Sequence, residues 1–199
     1  MNHQRELMKQ KLPKRSNIPN VENIIVVASG KGGVGKSTTA VNLAIALSEV
    51  DGQGSVGLLD MDVFGPSIPR MMNLSASPEL DKRAVIVSTP QDIALLDARR
   101  GAEMFHKVQI PVLGLVDNMS VFSCPKCGHQ EHIFGKDGVK KMAKELCVDV
   151  LGDVPLNPLI RLGADKGQPI TVSHPDSPQA TCYRNIATRV IENIIALKT

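Results

Sequence analysis

The densest chemistry in the chain lies in ten residues, Ser29 to Thr38, which read SGKGGVGKST. Gly30 to Ser37 fit the pattern G-x-x-x-x-G-K-[ST], a spacing that cradles phosphate. Gly30, Gly32, Gly33 and Gly35 let backbone N–H groups converge on an oxyanion without a Cβ in the way, and Val34 lends its backbone to the same cradle. Lys36 then reaches the β- and γ-phosphates as a point charge, and Ser37 offers its hydroxyl to Mg²⁺. Thr38 follows in the first turn of a helix whose N-terminal dipole favours anions. The ligands expected here are ATP and Mg²⁺.

Two further groupings carry reactive side chains. Asp60 and Asp62 stand one residue apart at the end of an apolar run, where paired acids hold metal-bound waters and orient an attacking water. Cys124-Pro125-Lys126-Cys127 places two thiols three apart in a turn, with Gly128, His129 and His132 close behind. A closed soft-metal site needs four ligands, and three completions are open. Cys124, Cys127, His129 and His132 can hold zinc within one chain; two chains can pool four thiolates around a 4Fe-4S cluster; or the pair can cycle as a disulfide. Cys147 and Cys182 fall inside helical patterns and read as small core residues.

The elements that must position these groups alternate in type. Ile24 to Ala28 is an apolar strand feeding the glycine loop, and Thr39 to Leu47 continues as a helix with Ala40, Leu43, Ala44 and Leu47 on one face. Ser55 to Asp60 reads as a second buried strand ending in the acid pair, before Gly65-Pro66-Ser67 turns the chain. Ala84 to Thr89 is a third strand, followed by a helix in which Ile93, Ala94, Asp97, Ala98 and Phe105 approximate a stripe. Pro111 to Val116 is a fourth, running into Asp117-Asn118-Met119. Gly138 to Leu146 is helical, with Val139, Met142, Ala143 and Leu146 on one side, and Val148 to Val154 is a fifth strand. Ser177 and Pro178 open a last helix as N-cap and first-turn proline, with Tyr183, Ile186, Val190, Ile194 and Leu197 aligned for burial. This alternation predicts an α/β fold, a mostly parallel sheet with helices on both faces, and chemistry at the carboxyl edge of its strands.

At 199 residues and 42% hydrophobic composition, one substantial core is expected, in a single domain over 21–199 with the thiol turn in an insertion at about 119–135. Arg5, Lys9, Lys11, Lys14 and Arg15 stand against Glu6 in residues 1–20, a basic flexible leader or the end of a mitochondrial presequence. A net charge of +3 gives no reason to expect nucleic acid. No apolar run reaches about 18 residues and no signal peptide is visible, so an intracellular chain without a membrane span is expected.

Lys31, directly after the first glycine, gives GKGGVGKST, which resembles the deviant Walker A loop of the MinD, nitrogenase iron protein and Mrp class of ATPases. That resemblance implies that Lys31 crosses a dimer interface to the partner's nucleotide, and hence a homodimer. D-x-D-x-x-G-P-S followed by IPRMMNL, and NMSVFSCPKCGHQEHIFG, narrow the resemblance to the Mrp-type iron–sulfur cluster carriers, P-loop NTPases, and to the mitochondrial branch serving respiratory complex I assembly. By that resemblance Asp60 supports Mg²⁺, Asp62 polarises the attacking water, and Asn118 reads the adenine base. Cys124 and Cys127 share a 4Fe-4S cluster with a second chain, leaving His129 and His132 solvated. The cluster then passes to apo-proteins, complex I subunits among them, in the mitochondrial matrix, with the cytosol as the alternative compartment. The rivals are a MinD- or ParA-like positioning ATPase, which has no use for paired thiols, and a zinc-stapled, catalytically inactive shortened form.

The resemblance breaks between Leu80 and Ala84, where this chain has only Asp81-Lys82-Arg83. Family members carry several tens of residues there, holding a strand and the switch II turn. In that class the strand lies beside the P-loop strand, so its loss leaves backbone groups near the sheet's centre unpaired. Nucleotide binding is expected to survive the loss, and efficient hydrolysis is not.

Overall fold

In the computed structural model, which describes residues 21–51, 55–59, 82–124 and 126–198, the apolar runs become strands flanked by helices. The elements are β1 (Ile24–Ala28), α1 (Lys36–Asp51), β2 (Lys82–Ser88), α2 (Asp92–Lys107), β3 (Val112–Ser123), β4 (Gln130–Glu131), α3 (Gly138–Leu146), β5 (Val150–Leu156), α4 (Pro158–Asp165), α5 (Ile170–Ser173) and α6 (Pro178–Ala196). Ile25–Leu58 and Arg83–Thr199 form one unit; a second, Met1–Ile24 with Leu59–Lys82, lies almost wholly outside the described residues. The basic leader, Asp60, Asp62 and the Gly65 turn fall there too, so the expectations for them have no structural counterpart.

The sheet runs β1-β2-β3, with β5 on the other side of β3 and the short β4 at its far end. β2 and β5 run parallel to β3, and β4 runs antiparallel to it. Period-two alternation sorts each strand's side chains into two apolar layers. Val85 and Val87 join Leu43, Leu47, Tyr183, Ile186 and Val190 from α1 and α6, whereas Ala84 and Ile86 join Ala98, Ala102, Phe105, Val139 and Met142 from α2 and α3. The expected three-layer α/β arrangement is therefore present. Among the described residues β1 is an edge strand, and all five of its apolar residues are only half-buried.

Several local expectations are corrected. Residues 55–59 form no strand, with Val56 and Leu59 exposed, because an apolar run has no strand structure without a neighbour to take its backbone groups. β3 does not stop at Val116 but continues to Ser123, since β4 and β5 supply partners for its second half. In α2 the buried stripe is Ala94, Ala98, Ala102 and Phe105, small residues that let the helix lie close to the sheet, while Ile93 is 53% exposed. In α1 Ala46 is buried instead of Ala40 and Ala44, and Leu197 lies past the end of α6, 54% exposed. Cys147 is also exposed: it caps α3 in a left-handed conformation.

Helix ends follow their sequence signals. Ser177 accepts from the Ala180 N–H, with Pro178 in the first turn, and Asn157 does the same for Leu159 ahead of Pro158. Among the described residues no helix is long and apolar enough to cross a membrane. A buried polar clamp holds α1 in place. Asn42 donates to the Thr38 carbonyl at 2.9 Å, and its own oxygen accepts from the Thr171 backbone N–H at 3.3 Å and hydroxyl at 3.1 Å. Replacing Asn42 by Ala leaves the Thr171 donors buried without a partner, and urea unfolding should show a loss of about 2 kcal/mol; an unchanged midpoint would deny the clamp any role in stability.

Candidate functional site

β1 ends at Ala28 and the glycine loop bridges directly to α1, whose first turn begins at Lys36; the Thr39 N–H closes that turn on the Gly35 carbonyl at 2.9 Å. Gly33 and Gly35 adopt φ of 82° and 89°, left-handed values that aim successive N–H groups to one side. Among the described residues, and apart from its chain neighbours, no atom lies within 4 Å of where a Cβ on Gly32 or Gly33 would stand, which leaves room there for a ligand. Lys36 is half-buried and Ser37 exposed at the helix N-terminus, as a phosphate cradle requires. Lys31 extends over the start of α2, its ammonium donating to Gln91 Oε1 at 3.4 Å.

Beneath the loop the structure places Asn118, only 7% exposed on β3, donating from Nδ2 to the Val34 carbonyl at 2.7 Å. A Cβ on Gly35 would collide with that same amide, so Gly35 has two reasons to be glycine. That bond engages one of the two Nδ2 hydrogens of Asn118.

The thiols sit at the tip of the β3–β4 hairpin, where Phe122 pairs with Glu131 and Ser123 with Gln130. The Cys124 N–H donates to the His129 carbonyl at 2.9 Å and the Gly128 N–H to the Cys124 carbonyl at 2.8 Å, closing a tight turn. Hydrogen bonds from the backbone N–H groups of Lys126 and Cys127, then from the Cys127 side chain, hold the Cys124 thiol below its ordinary pKa. The turn is thus biased toward the thiolate, the form that ligates metal. The histidines have other partners: His132 Nδ1 lies 2.7 Å from the Ser120 carbonyl, and His129 Nε2 lies 3.4 Å from Glu131. Among the described residues no group of three or more His, Cys, Asp or Glu side chains is placed to hold a metal ion, so the single-chain zinc set is not assembled.

One buried acid escaped sequence reasoning. Asp117 on β3 pairs in register with Asp153 on β5, two carboxylates 36 positions apart in the chain brought side by side by strand pairing. Asp117 is 4% exposed, and among the described residues its Oδ1 has no hydrogen-bond partner. It lines a cavity of about 100 Å³ with Ser120, His132, Lys140 and Asp153. Burial first, and the Asp153 charge second, raise its pKa to about 7.

Known structures share this architecture. The cell division ATPase MinD of Pyrococcus furiosus superposes with a TM-score of 0.59 at 18% identity, covering 86% of this chain and 99% of its own. A nucleotide-binding protein from Archaeoglobus fulgidus, solved in complex with ADP, gives 0.59 at 22% identity over 80% and 90%. Together with the glycine loop between β1 and α1, this fold makes the protein a P-loop NTPase. The family model described as ParA, NUBPL iron-transfer P-loop NTPase, matches residues 20–83 and 78–191, and the chain belongs to that family.

Named relatives agree. The chain is 44% identical to the mouse iron-sulfur cluster transfer protein NUBPL over 264 positions, covering 95% of this chain and 83% of the relative. It is 36% identical to an Arabidopsis thaliana protein named as an iron-sulfur protein required for NADH dehydrogenase, mitochondrial, over 89% and 80%. The iron-sulfur cluster carrier protein of Escherichia coli K12 is 35% identical over 91% and 69%. The mouse alignment spans 264 positions, whereas 95% of 199 residues is 189, so roughly 75 positions of the relative face a gap. The two stretches matched by the family model meet at 78–83, the place where the break was expected.

The raised Asp117 pKa has a definite sign in stability. Between its ordinary value of 3.8 and about 7 the folded protein holds a proton that the unfolded chain releases, so this contribution favours folding at low pH and is lost as pH rises through 7. Asp117→Asn should therefore gain stability over the parent that is small near pH 4, grows to neutrality and levels off above it, reaching at most ~4 kcal/mol. Denaturation across pH 4–8 checks this; a gain independent of pH would show that the carboxyl keeps an ordinary pKa.

Proposed function

We propose that this protein is an ATP-binding iron–sulfur cluster carrier in which two copies hold a 4Fe-4S cluster between their Cys124–Cys127 turns and deliver it to apo-proteins. The observation that carries the reading is the turn itself: two thiols at a hairpin tip, Cys124 biased toward thiolate, with no third ligand in reach among the described residues. Each chain then supplies half of a four-thiolate set, and a second copy supplies the rest. Lys31, standing out over α2, is available to the partner's nucleotide in such a dimer. Relatives named for cluster transfer and for mitochondrial NADH dehydrogenase support delivery to complex I subunits in the matrix; relatives named as bacterial carriers support the cytosol as the alternative.

Residues Gly30 to Thr38 hold the nucleotide phosphates in this reading, with Ser37 and Asp60 on Mg²⁺ and Asp62 polarising water. The metal ion supplies charge neutralisation at the phosphates when bound. Loop amides and Lys36 need nothing from the roughly 75 positions that this chain lacks relative to the mouse protein. Turnover also needs the water and the metal shell fixed from a second side, which the missing switch II would provide. Binding and hydrolysis therefore come apart in this chain.

Anaerobic reconstitution with iron and sulfide should load about four irons per dimer. Cys124→Ser or Cys127→Ser should abolish loading, and His129→Ala or His132→Ala should leave it intact. Stoichiometric zinc in the monomer, lost on changing either histidine, would favour the zinc-stapled form instead. Calorimetric titration should show ATP binding that Lys36→Ala removes. Phosphate release from the same preparation should run about 100-fold or more below that of a full-length relative, the scale of loss that misplacing a reactant by about 1 Å produces. Release at the relative's rate would show that the missing segment is dispensable.

A further inference from the structure

We propose that β3 couples the phosphate-binding loop to the thiol turn, with Asn118 as the positioning residue that grips the loop. The inference rests on the nucleotide and thiol sites proposed above and adds a physical connection between them.

β3 passes under the loop and ends at Ser123, one residue before Cys124. At the loop end, Asn118 is buried and donates to the Val34 carbonyl, and its amide abuts Gly35 so closely that a Cβ there would clash. Met119, the next residue, also reaches Gly35, its Cε 3.9 Å from the same Cβ position. Consecutive strand residues normally point to opposite faces. Both reach the loop here because Met119 is left-handed, with φ of 57°, and the β3–β5 register breaks between Asn118 and Phe122. β3 thus carries a bulge directly beneath the loop.

A left-handed residue other than glycine is strained and persists only where its surroundings hold it. Loop contacts hold it on one side. On the other, the bulge leads straight into the hairpin: Ser120 donates to the Val154 carbonyl at 3.3 Å and its own carbonyl meets the His132 ring, Phe122 and Ser123 pair with β4, and the Cys124 N–H bonds His129. Phosphate entering the cradle draws the loop amides outward and so loads the Val34–Asn118 bond. The bulge either follows or lets go, and in both cases the hairpin that orients Cys124 and Cys127 is shifted. In this chain the link needs neither Asp60, Asp62 nor the absent segment.

The test uses the full chain and two variants, Asn118→Leu, which keeps the shape without the donor, and Asn118→Asp, which keeps a polar side chain. Circular dichroism confirms folding of each. Alkylation rates of Cys124 and Cys127 are measured without nucleotide and with ATP and Mg²⁺ at a concentration shown by titration to saturate each protein. In the parent, nucleotide should change the rate by about fivefold or more, the lower range of coupling between sites. In both variants that change should vanish, an effect that a general loosening of structure does not produce. Without nucleotide, hydrogen exchange of the Cys124 and Gly128 amides should quicken severalfold in the variants while α6 stays unchanged. The coupling is overturned if bound ATP leaves the parent's thiol rates unaltered, or if the variants keep the nucleotide effect. A parent that binds no ATP would refute the nucleotide reading, and unaltered exchange at Cys124 and Gly128 would then refute the strut as well.

Discussion

Pairing on both edges of β3 is the constraint on which the structure turns. A strand of twelve residues has to place its N–H and C=O groups, and here β2 takes one edge, β5 the other and β4 the far end. That pairing sets Asn118 beneath the glycine loop, Asp117 beside Asp153, and Cys124 at the hairpin tip. The thiol turn thus continues directly from this strand, and the glycine loop, delivered by β1, rests on it through Asn118.

The opposite side of the sheet is weaker. β1, which delivers the phosphate-binding loop, has one strand neighbour among the described residues, and its Ile24, Ile25, Val26, Val27 and Ala28 are half-buried where a central strand would bury them. Long apolar edges invite pairing with other chains. Roughly 75 positions of the mouse relative have no counterpart here, and the family match divides at 78–83. The exposed Val56 and Leu59 are apolar residues of a run that reads as a strand and pairs with none of the described residues. The loop is consequently secured from below by Asn118 and from the helix side by the Asn42–Thr171 clamp, more than by the strand that feeds it.

Electrostatics separate the two ends of β3. Around Cys124, backbone N–H groups favour the anion and ready a soft ligand. Around Asp117, seven residues earlier, burial and a neighbouring carboxylate disfavour the anion, and one oxygen has no partner among the described residues. Backbone donors stabilise charge at an exposed tip at little desolvation cost, whereas the same charge inside the sheet loses water and gains a like-charged neighbour.

Much of the site was legible in the chain because its signals are local. Gly30 to Ser37 specify their own conformation through glycine, the helix that follows and a fixed spacing, and the same holds for Cys124 to Gly128 and for the caps at Ser177 and Pro178. Strand and helix alternation determined the fold class by itself, because burial periodicity belongs to each segment. Tertiary structure decided whatever depends on a partner distant in sequence. It turned Asn118 to the Val34 carbonyl and Asp117 toward Asp153. It carried β3 past Val116 because β4 and β5 were there to pair with it, and left 55–59 without strand structure. It exposed Ile93 and Leu197 in spite of their spacing. Periodicity states which residues are able to be buried, and only the arrival of a neighbouring strand or helix, with its own hydrogen bonds and volume, determines which of them are.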